Sequence, residues 1–356
     1  MTRENSWPNI LGKLLDRNDL DRAEAAWAMG QIMSGESEPA QIGAFMMALR
    51  AKGESIGELA GLVDTMLEKS VILDTGNDAL DIVGTGGDMV GTVNISTMAA
   101  IVAAASGVPV MKHGSRSASG KTGSSEMLEV LGIRLDLSPE RVADVFREVG
   151  LTFFFAPVFH PAMRHVAPIR KALGVPTTFN FLGPLANPAQ PIATSLGVSN
   201  AKMAPLMAAE MAGRGRTALV FRGSDGLDEL TTTGTSHIWA VNGGKTIDFD
   251  LNPGDFGLKT ANLADLVGAD AHHNAQVTRD ILAGETSGAL AAIRDVVALN
   301  VAGGLASYQL AKGHVGDFSQ EGLAKAISNG LESAFEAIDS GAAGEKLSAW
   351  MSATQA

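Results

Sequence analysis

Apolar residues recur every three or four positions through the first seventy residues, and that period predicts helices. Between Glu38 and Gly53, Ile42, Phe45, Met46 and Leu49 share one face, with Pro39 placed early in the helix and Gly53 placed to stop it. Next, Ser55 and Glu58 have capping-box spacing, and Leu59, Leu62, Val63, Met66 and Leu67 form a second apolar face. Two such faces need partners. They can pack on each other, on a larger domain or across a dimer, and the pattern leaves all three open.

From Leu80 the period changes to short apolar runs alternating with helical segments, which predicts an α/β sheet. Strands are expected near 80–83, 108–111, 151–155, 192–198, 217–221 and 237–241. Ser138 reads as an N-cap with Pro139 behind it, and Val142, Val145, Phe146 and Val149 form a core face closed by Gly150. The apolar stretch from Met98 to Met111 contains Ser106, Gly107 and Pro109, so it reads as a buried helix, a turn and a strand. The last third, with Ala289 to Leu310 and Leu323 to Ile338, is helical and carries no readable chemistry.

Composition narrows the classes. A chain of 356 residues with 46% hydrophobic residues, 19% charged residues and 41 glycines is a folded α/β or α+β protein, and its length favours two domains over one. It has no cysteine, so disulfides, thiolate metal sites and a cysteine nucleophile are excluded, and any metal must sit on oxygen or imidazole. A net charge of -12 argues against nucleic acid as a partner, so an anionic substrate needs a local basic pocket or a metal. The start lacks an apolar signal core and no stretch reaches membrane-span length, so a cytoplasmic protein with no membrane partner is expected.

Two familiar phosphate motifs nearly fit and fail. A dinucleotide fingerprint beginning at Gly84 would need glycine where Met89 stands, and a Walker A loop would need one residue fewer between Gly114 and Gly120. What survives is a pair of glycine-rich loops, each after a strand. In LDIVGTGGD, residues 80–88, the strand runs into Gly84, Gly86 and Gly87, which let backbone N–H groups approach a phosphate, and Asp88 can meet a hydrated metal. Asn94, Ile95, Ser96 and Thr97 then crowd the start of a helix, where Ser96 or Thr97 serves either as a plain cap or as part of an anion site. The second loop brings Lys112, Arg116 and Lys121 among small polar residues, and reads either as a solvated basic loop or as a ligand clamp. Asp228 and Glu229, adjacent after an Asp225-Gly226 turn, suit Mg²⁺, a hard cation that takes one or two carboxylates, but also suit an acidic helix start.

These blocks carry a resemblance. GTGGD, NIST, KHG-x-R with its tail ending in LEVLG, FAPVFHPAMRHVAPIRKALGVPTTFNFLGPLANPA and GSDGLDELTTTGTS occur in the order of the anthranilate phosphoribosyltransferase family. The resemblance implies a small all-helical N-terminal domain, residues 1–75 with a further helical contribution from about 160–180, joined to an α/β domain, residues 76–356. This is the nucleoside phosphorylase/phosphoribosyltransferase (type III) architecture. It implies phosphoribosyl pyrophosphate (PRPP) bound against Gly84, Gly87, Asp88, Thr92, Asn94, Ile95, Ser96, Thr97, Lys112, His113, Gly114, Ser115, Arg116, Ser117, Ala118, Ser119, Gly120 and Ser124. Mg²⁺ would be held by Ser96, Asp228 and Glu229; anthranilate would meet Gly84, His113, Ser115, His160 and Arg170. The remaining histidines, 165, 237, 272, 273 and 314, are assigned to structure. A homodimer through the helical domain is also implied.

Two positions depart from the family pattern. Ser115 stands where the motif usually has Asn, which shortens the side chain and removes a donor, and Gly120 stands where Ser is common. Neither touches the acid pair or the glycine scaffold. The expected reaction is attack by the amine of anthranilate on ribose C1 of PRPP with loss of pyrophosphate, a step of tryptophan biosynthesis. A pyrimidine nucleoside phosphorylase and a non-catalytic nucleic-acid-binding relative are the rivals.

Overall fold

The computed structural model describes residues 5–73, 75–116 and 122–356. The chain divides into two compact units, one made of residues 1–72 and 156–188 and the other of residues 73–155 and 189–356.

The first unit is helical. Its leading helices span Trp7–Leu15, Arg22–Ser34, Pro39–Lys52 and Ile56–Glu68. All four residues of the predicted face on Pro39–Lys52 are buried, and Phe45 meets Trp7 edge-on with ring centroids 5.8 Å apart. The predicted capping box forms: the Glu58 N–H donates to Ser55 Oγ at 3.3 Å and the Ser55 N–H to Glu58 Oε2 at 2.8 Å. Glu58 is wholly buried because it also accepts from the Leu20 N–H at 2.9 Å and from Lys52 Nζ at 3.0 Å. Gly61 lets two helices approach closely, since a Cβ there would lie 2.3 Å from the Arg22 carbonyl. Residues 156–188 add Ala156–Phe159, Ala167–Leu173, Phe179–Leu185 and the 3-10 turn Pro161–His165.

The second unit is built on a seven-stranded sheet: β1 (Leu80–Gly84), β2 (Val110–Gly114), β3 (Leu151–Phe155), β4 (Ala193–Gly197), β5 (Thr217–Gly223), β6 (Ser236–Asn242) and β7 (Lys245–Leu251). Its order is β3-β2-β1-β4-β5-β6-β7, parallel from β3 through β5 and antiparallel beyond. The parallel strands are buried along nearly their whole length, their polar residues Asp81, Lys112, Thr152 and Ser195 included. β7 lies outside the six expected strands. It returns from β6 through Gly243-Gly244, both with positive φ, as a two-residue hairpin turn requires. The helix Pro139–Val149 forms as expected, with the Arg141 N–H donating to Ser138 Oγ at 3.3 Å and Gly150 left-handed at its end. Its face is narrower than expected: Val142, Ala143 and Val145 are buried, while Phe146 and Val149 are only half-buried.

Among the described residues one helix, Leu290–Ala311, is long and apolar enough to cross a membrane by length and composition alone. It is instead the central core helix of this unit, buried along most of its length and packed on Ile95–Ala105, Gln320–Asp339, β1, β4 and β5.

Candidate functional site

From β1 the chain steps outward to β2 and β3, then returns to place β4 on the other flank of β1. This reversal makes the carboxyl ends of β1 and β4 a topological switch point, where open α/β sheets bind ligands. Gly84 and Gly197 end these two strands and are registered side by side. Both glycines make room for one residue. A Cβ on Gly84 would lie 2.2 Å from Asp228 Oδ2, and a Cβ on Gly197 would lie 1.7 Å from the Asp228 carbonyl oxygen. Asp228 is therefore seated between two strand ends, its backbone against Gly197 and its carboxylate against Gly84, where Oδ2 accepts the Gly86 N–H at 2.7 Å.

Glu229 points to the start of the helix Ile95–Ala105, and its Oε1 accepts the Ser96 N–H at 3.2 Å. That helix begins with Asn94 at the N-cap position, so Ser96 and Thr97 lie inside the first turn and are not the cap. Thr97 Oγ1 is buried without a hydrogen-bond partner among the described residues. Two of the amides expected to face a phosphate, those of Gly86 and Ser96, thus donate to acids here. A carboxylate at a helix N-terminus is favoured by the same partial positive charge that favours a phosphate.

Lys112 on β2 reaches the same place. Its ammonium is buried, donates to the Ile82 carbonyl at 2.5 Å and lies 3.4 Å from Ser96 Oγ. Burial pushes its pKa down, opposed by Asp81, Glu229 and Asp228. Burial, reinforced by the neighbouring Asp88 carboxylate, pushes Asp228 up to about 7. Burial and then Asp228 hold Glu229 well above the usual carboxylate range. Two acids that repel each other in a place with little water are short of positive charge.

A magnesium ion fits that shortage. Among the described residues no group of three or more His, Asp or Glu forms a closed metal cage. The adjacent carboxylates of Asp228 and Glu229, the latter beside the Ser96 amide, are the oxygen donors that could hold Mg²⁺, which takes one or two carboxylates and keeps several waters.

The remaining expected residues take definite places. Gly87 has a φ of 84°, and Asp88 Oδ1 accepts the Val90 N–H at 2.9 Å. Thr92 bridges to Val267. Ile95 is buried in the first turn of its helix. His113 is buried on β2, with its N–H donating to Asp81 Oδ1 at 3.1 Å. Gly114 ends β2 under Phe153, and Ser124 opens the helix Ser124–Leu131 with its hydroxyl 3.4 Å from the Ser115 carbonyl. Ser115 is exposed. Arg116 is also exposed and is held by Glu129 through two bonds of 3.0 and 2.9 Å, over the Phe155 ring. Ser117, Ala118, Ser119, Gly120 and Lys121 lie outside the described residues.

His160 and Arg170 belong to the helical unit. His160 is buried, which lowers its pKa to about 4 against the pull of the Ala186 and Met66 backbone. Arg170, on Ala167–Leu173, is half-buried and makes no ion pair among the described residues. Burial lowers its pKa, yet a guanidinium remains charged in proteins.

Sequence reasoning missed several residues that shape the site. Gly197 is one, because its need arises only from the distant Asp228. Asn274 is another: its Nδ2 donates to Asn94 Oδ1 at 2.9 Å while its Oδ1 accepts the Ala269 N–H at 2.9 Å, which turns the Asn94 amide nitrogen away from that contact. Asp225, whose turn with Gly226 the sequence did show, ties the acid-bearing segment, accepting from the Leu227 N–H at 3.0 Å and from the Thr231 and Thr233 hydroxyls at 2.6 Å each. A buried polar residue inside an apolar helix pattern was the available signal for Asn274.

Two family models match consecutive parts of the chain. Residues 8–70 match the glycosyl transferase family helical bundle domain, and residues 76–344 match the glycosyl transferase family a/b domain. The anthranilate phosphoribosyltransferase of Leifsonia xyli subsp. xyli is 53% identical, with all of both chains covered. That of a Nocardioides species is 51% identical over 98% of this chain and 99% of its own. Among solved structures, the Thermus thermophilus enzyme matches with a TM-score of 0.86 at 40% identity, covering 98% of this chain and 99% of that one. The Saccharomyces cerevisiae enzyme in complex with PRPP and Mg matches with a TM-score of 0.86 at 29% identity, covering 98% of each chain.

Proposed function

Because the chain belongs to the anthranilate phosphoribosyltransferase family, we infer how its own residues perform that transfer. The enzyme moves the phosphoribosyl group of PRPP to the amine of anthranilate, giving N-(5-phosphoribosyl)anthranilate and pyrophosphate in tryptophan biosynthesis. The observation that carries the residue assignment is the seating of Asp228 and Glu229 at the β1/β4 switch point, against Gly84, Gly197 and the Ser96 amide.

The diphosphate of PRPP lies against Gly84, Gly87, Asp88, Thr92 and the helix start Asn94, Ile95, Ser96 and Thr97, with Lys112 beneath. His113 through Arg116 and Ser124 are assigned to PRPP as well. Asp228, Glu229 and Ser96 would hold Mg²⁺, which when bound would neutralise charge building on the pyrophosphate oxygens. Lys112 is buried and held by the Ile82 carbonyl on the same side, so its contribution requires no reorganisation as the bond breaks. The half-buried guanidinium of Arg170, which makes no ion pair among the described residues, takes the carboxylate of anthranilate, the anion it is best shaped for. The family resemblance assigns Gly84, His113, Ser115 and His160 to anthranilate as well. The amine attacks ribose C1 opposite the leaving group and sheds its proton afterwards, so alignment and electrostatics carry the rate and no residue is assigned as acid or base.

The enzyme acts as a homodimer in the cytoplasm. Leu15 and Met47, on the packed helices Trp7–Leu15 and Pro39–Lys52, are exposed apolar residues that support contact with a second copy. Mixing protein, PRPP, Mg²⁺ and anthranilate tests the reaction: anthranilate fluorescence decays only when all four are present. Cleavage of uridine or thymidine by inorganic phosphate, without that decay, would select the nucleoside phosphorylase reading.

A further inference from the structure

The acids Asp228 and Glu229 sit on a stretch, residues 224–235, that is neither helix nor strand. Such a segment must be anchored by contacts outside itself if two side chains are to stay in one geometry. The next residue, Leu230, is anchored twice by the core helix Leu290–Ala311. Asn300 Oδ1 accepts the Leu230 N–H at 3.0 Å, and Asn300 Nδ2 donates to the Leu230 carbonyl at 2.8 Å and to the Val296 carbonyl at 2.8 Å. One turn on, Gly303 leaves space for the Leu230 side chain, since a Cβ there would lie 2.6 Å from Leu230 Cδ1.

Asn is a poor residue for a helix interior, and this one is wholly buried in an apolar helix. Its amide clamps both backbone groups of the residue that follows Glu229. With Leu230 fixed from one side and Asp228 wedged against Gly84 and Gly197 on the other, the Glu229 carboxylate has little freedom to leave the Ser96 amide. We propose that Asn300 is a positioning residue for the magnesium carboxylates, holding the backbone of residues 228–230 so that both acids face the metal. This rests on the assignment of Asp228 and Glu229 as magnesium holders. Groups beyond the ligands that orient them are worth about ten- to a hundredfold in metal affinity.

The test compares Asn300→Ala and the milder Asn300→Ser with Ser307→Ala. Ser307 lies on the same helix, is equally buried and donates to the Thr194 carbonyl at 3.0 Å, so its loss destabilises the helix without touching the acid segment. Mn²⁺ affinity is read by electron paramagnetic resonance with PRPP present and anthranilate absent, beside the Mg²⁺ dependence of turnover and the melting temperature. Asn300→Ala should weaken Mn²⁺ binding by about tenfold or more, Asn300→Ser should fall between it and the wild type, and Ser307→Ala should bind Mn²⁺ as the wild type does. If Asn300→Ala does not fold, Asn300→Ser decides alone. Unchanged Mn²⁺ affinity in a folded Asn300 variant, or an equal loss in Ser307→Ala, overturns the proposal while the wild type still binds metal and turns over. A wild type that binds no Mn²⁺ with PRPP refutes the metal assignment itself.

Discussion

At the scale of single residues, the site depends on atoms that are missing. Gly84 was legible because a glycine cluster after a buried strand is a local pattern. Gly197 was not, because its lack of a Cβ matters only to Asp228, which the chain brings up from after the next strand. Replacing Gly197 by Ala must push the Asp228 backbone out of its seat. A displacement near 1 Å in an aligned active site costs on the order of a hundredfold, so Gly197→Ala should lower kcat/KM for PRPP by about that factor while the protein remains folded, as steady-state kinetics beside circular dichroism would show. His160 supplies a prediction of another kind. Its folded pKa of about 4 lies below the ordinary value of 6.5, so the unfolded chain takes up the proton first. Stability is then complete above 6.5 and falls as the pH drops from there towards 4. At pH 5 the loss from this one group is about 2 kcal/mol. Denaturant titrations at pH 7 and pH 5 should show a smaller difference for His160→Gln than for the wild type; equal differences would remove His160 as a source of acid sensitivity.

Elements were read with uneven success, for reasons that lie in their surroundings. Helices with one apolar face, such as Pro39–Lys52, were visible because burial on one side imposes the period. β7 escaped because it has an exposed face. Lys245, Thr246, Asp248 and Asp250 are exposed, and only Phe249 and Leu251 are buried, so its mean character is polar even though the Gly243-Gly244 turn and the alternation were present. Leu290–Ala311 was visible as a helix but not as part of the site. Its role comes from Asn300 and Gly303, whose partners are far away in sequence. Close helix packing is similarly hidden: a Cβ on Gly330, in Gln320–Asp339, would lie 3.0 Å from the Cα and carbonyl oxygen of Ala302. Backbone cannot step aside as a side-chain tip can. Gly330→Leu should therefore cost about 1–3 kcal/mol or more, seen as a melting temperature lowered by several degrees. An unchanged melting temperature would mean that these two helices separate easily.

For the whole molecule, composition was informative about what to exclude and silent about where the site lies. A net charge of -12 is hard to reconcile with a substrate as anionic as PRPP until Lys112 is found beside the start of the helix Ile95–Ala105, 3.4 Å from Ser96 Oγ. The strand order explains why that spot is where it is. It could not be read from the run of strands, because the reversal at β1 is fixed by which strands pair and not by any one segment. The most direct test of the account is a crystal of the protein grown with PRPP and Mn²⁺, examined for anomalous scattering from the metal. The account predicts a manganese peak in contact with the carboxylates of Asp228 and Glu229 beside the ends of β1 and β4, with the diphosphate against Gly84 and the start of Ile95–Ala105. A diphosphate and metal bound away from these acids would contradict it.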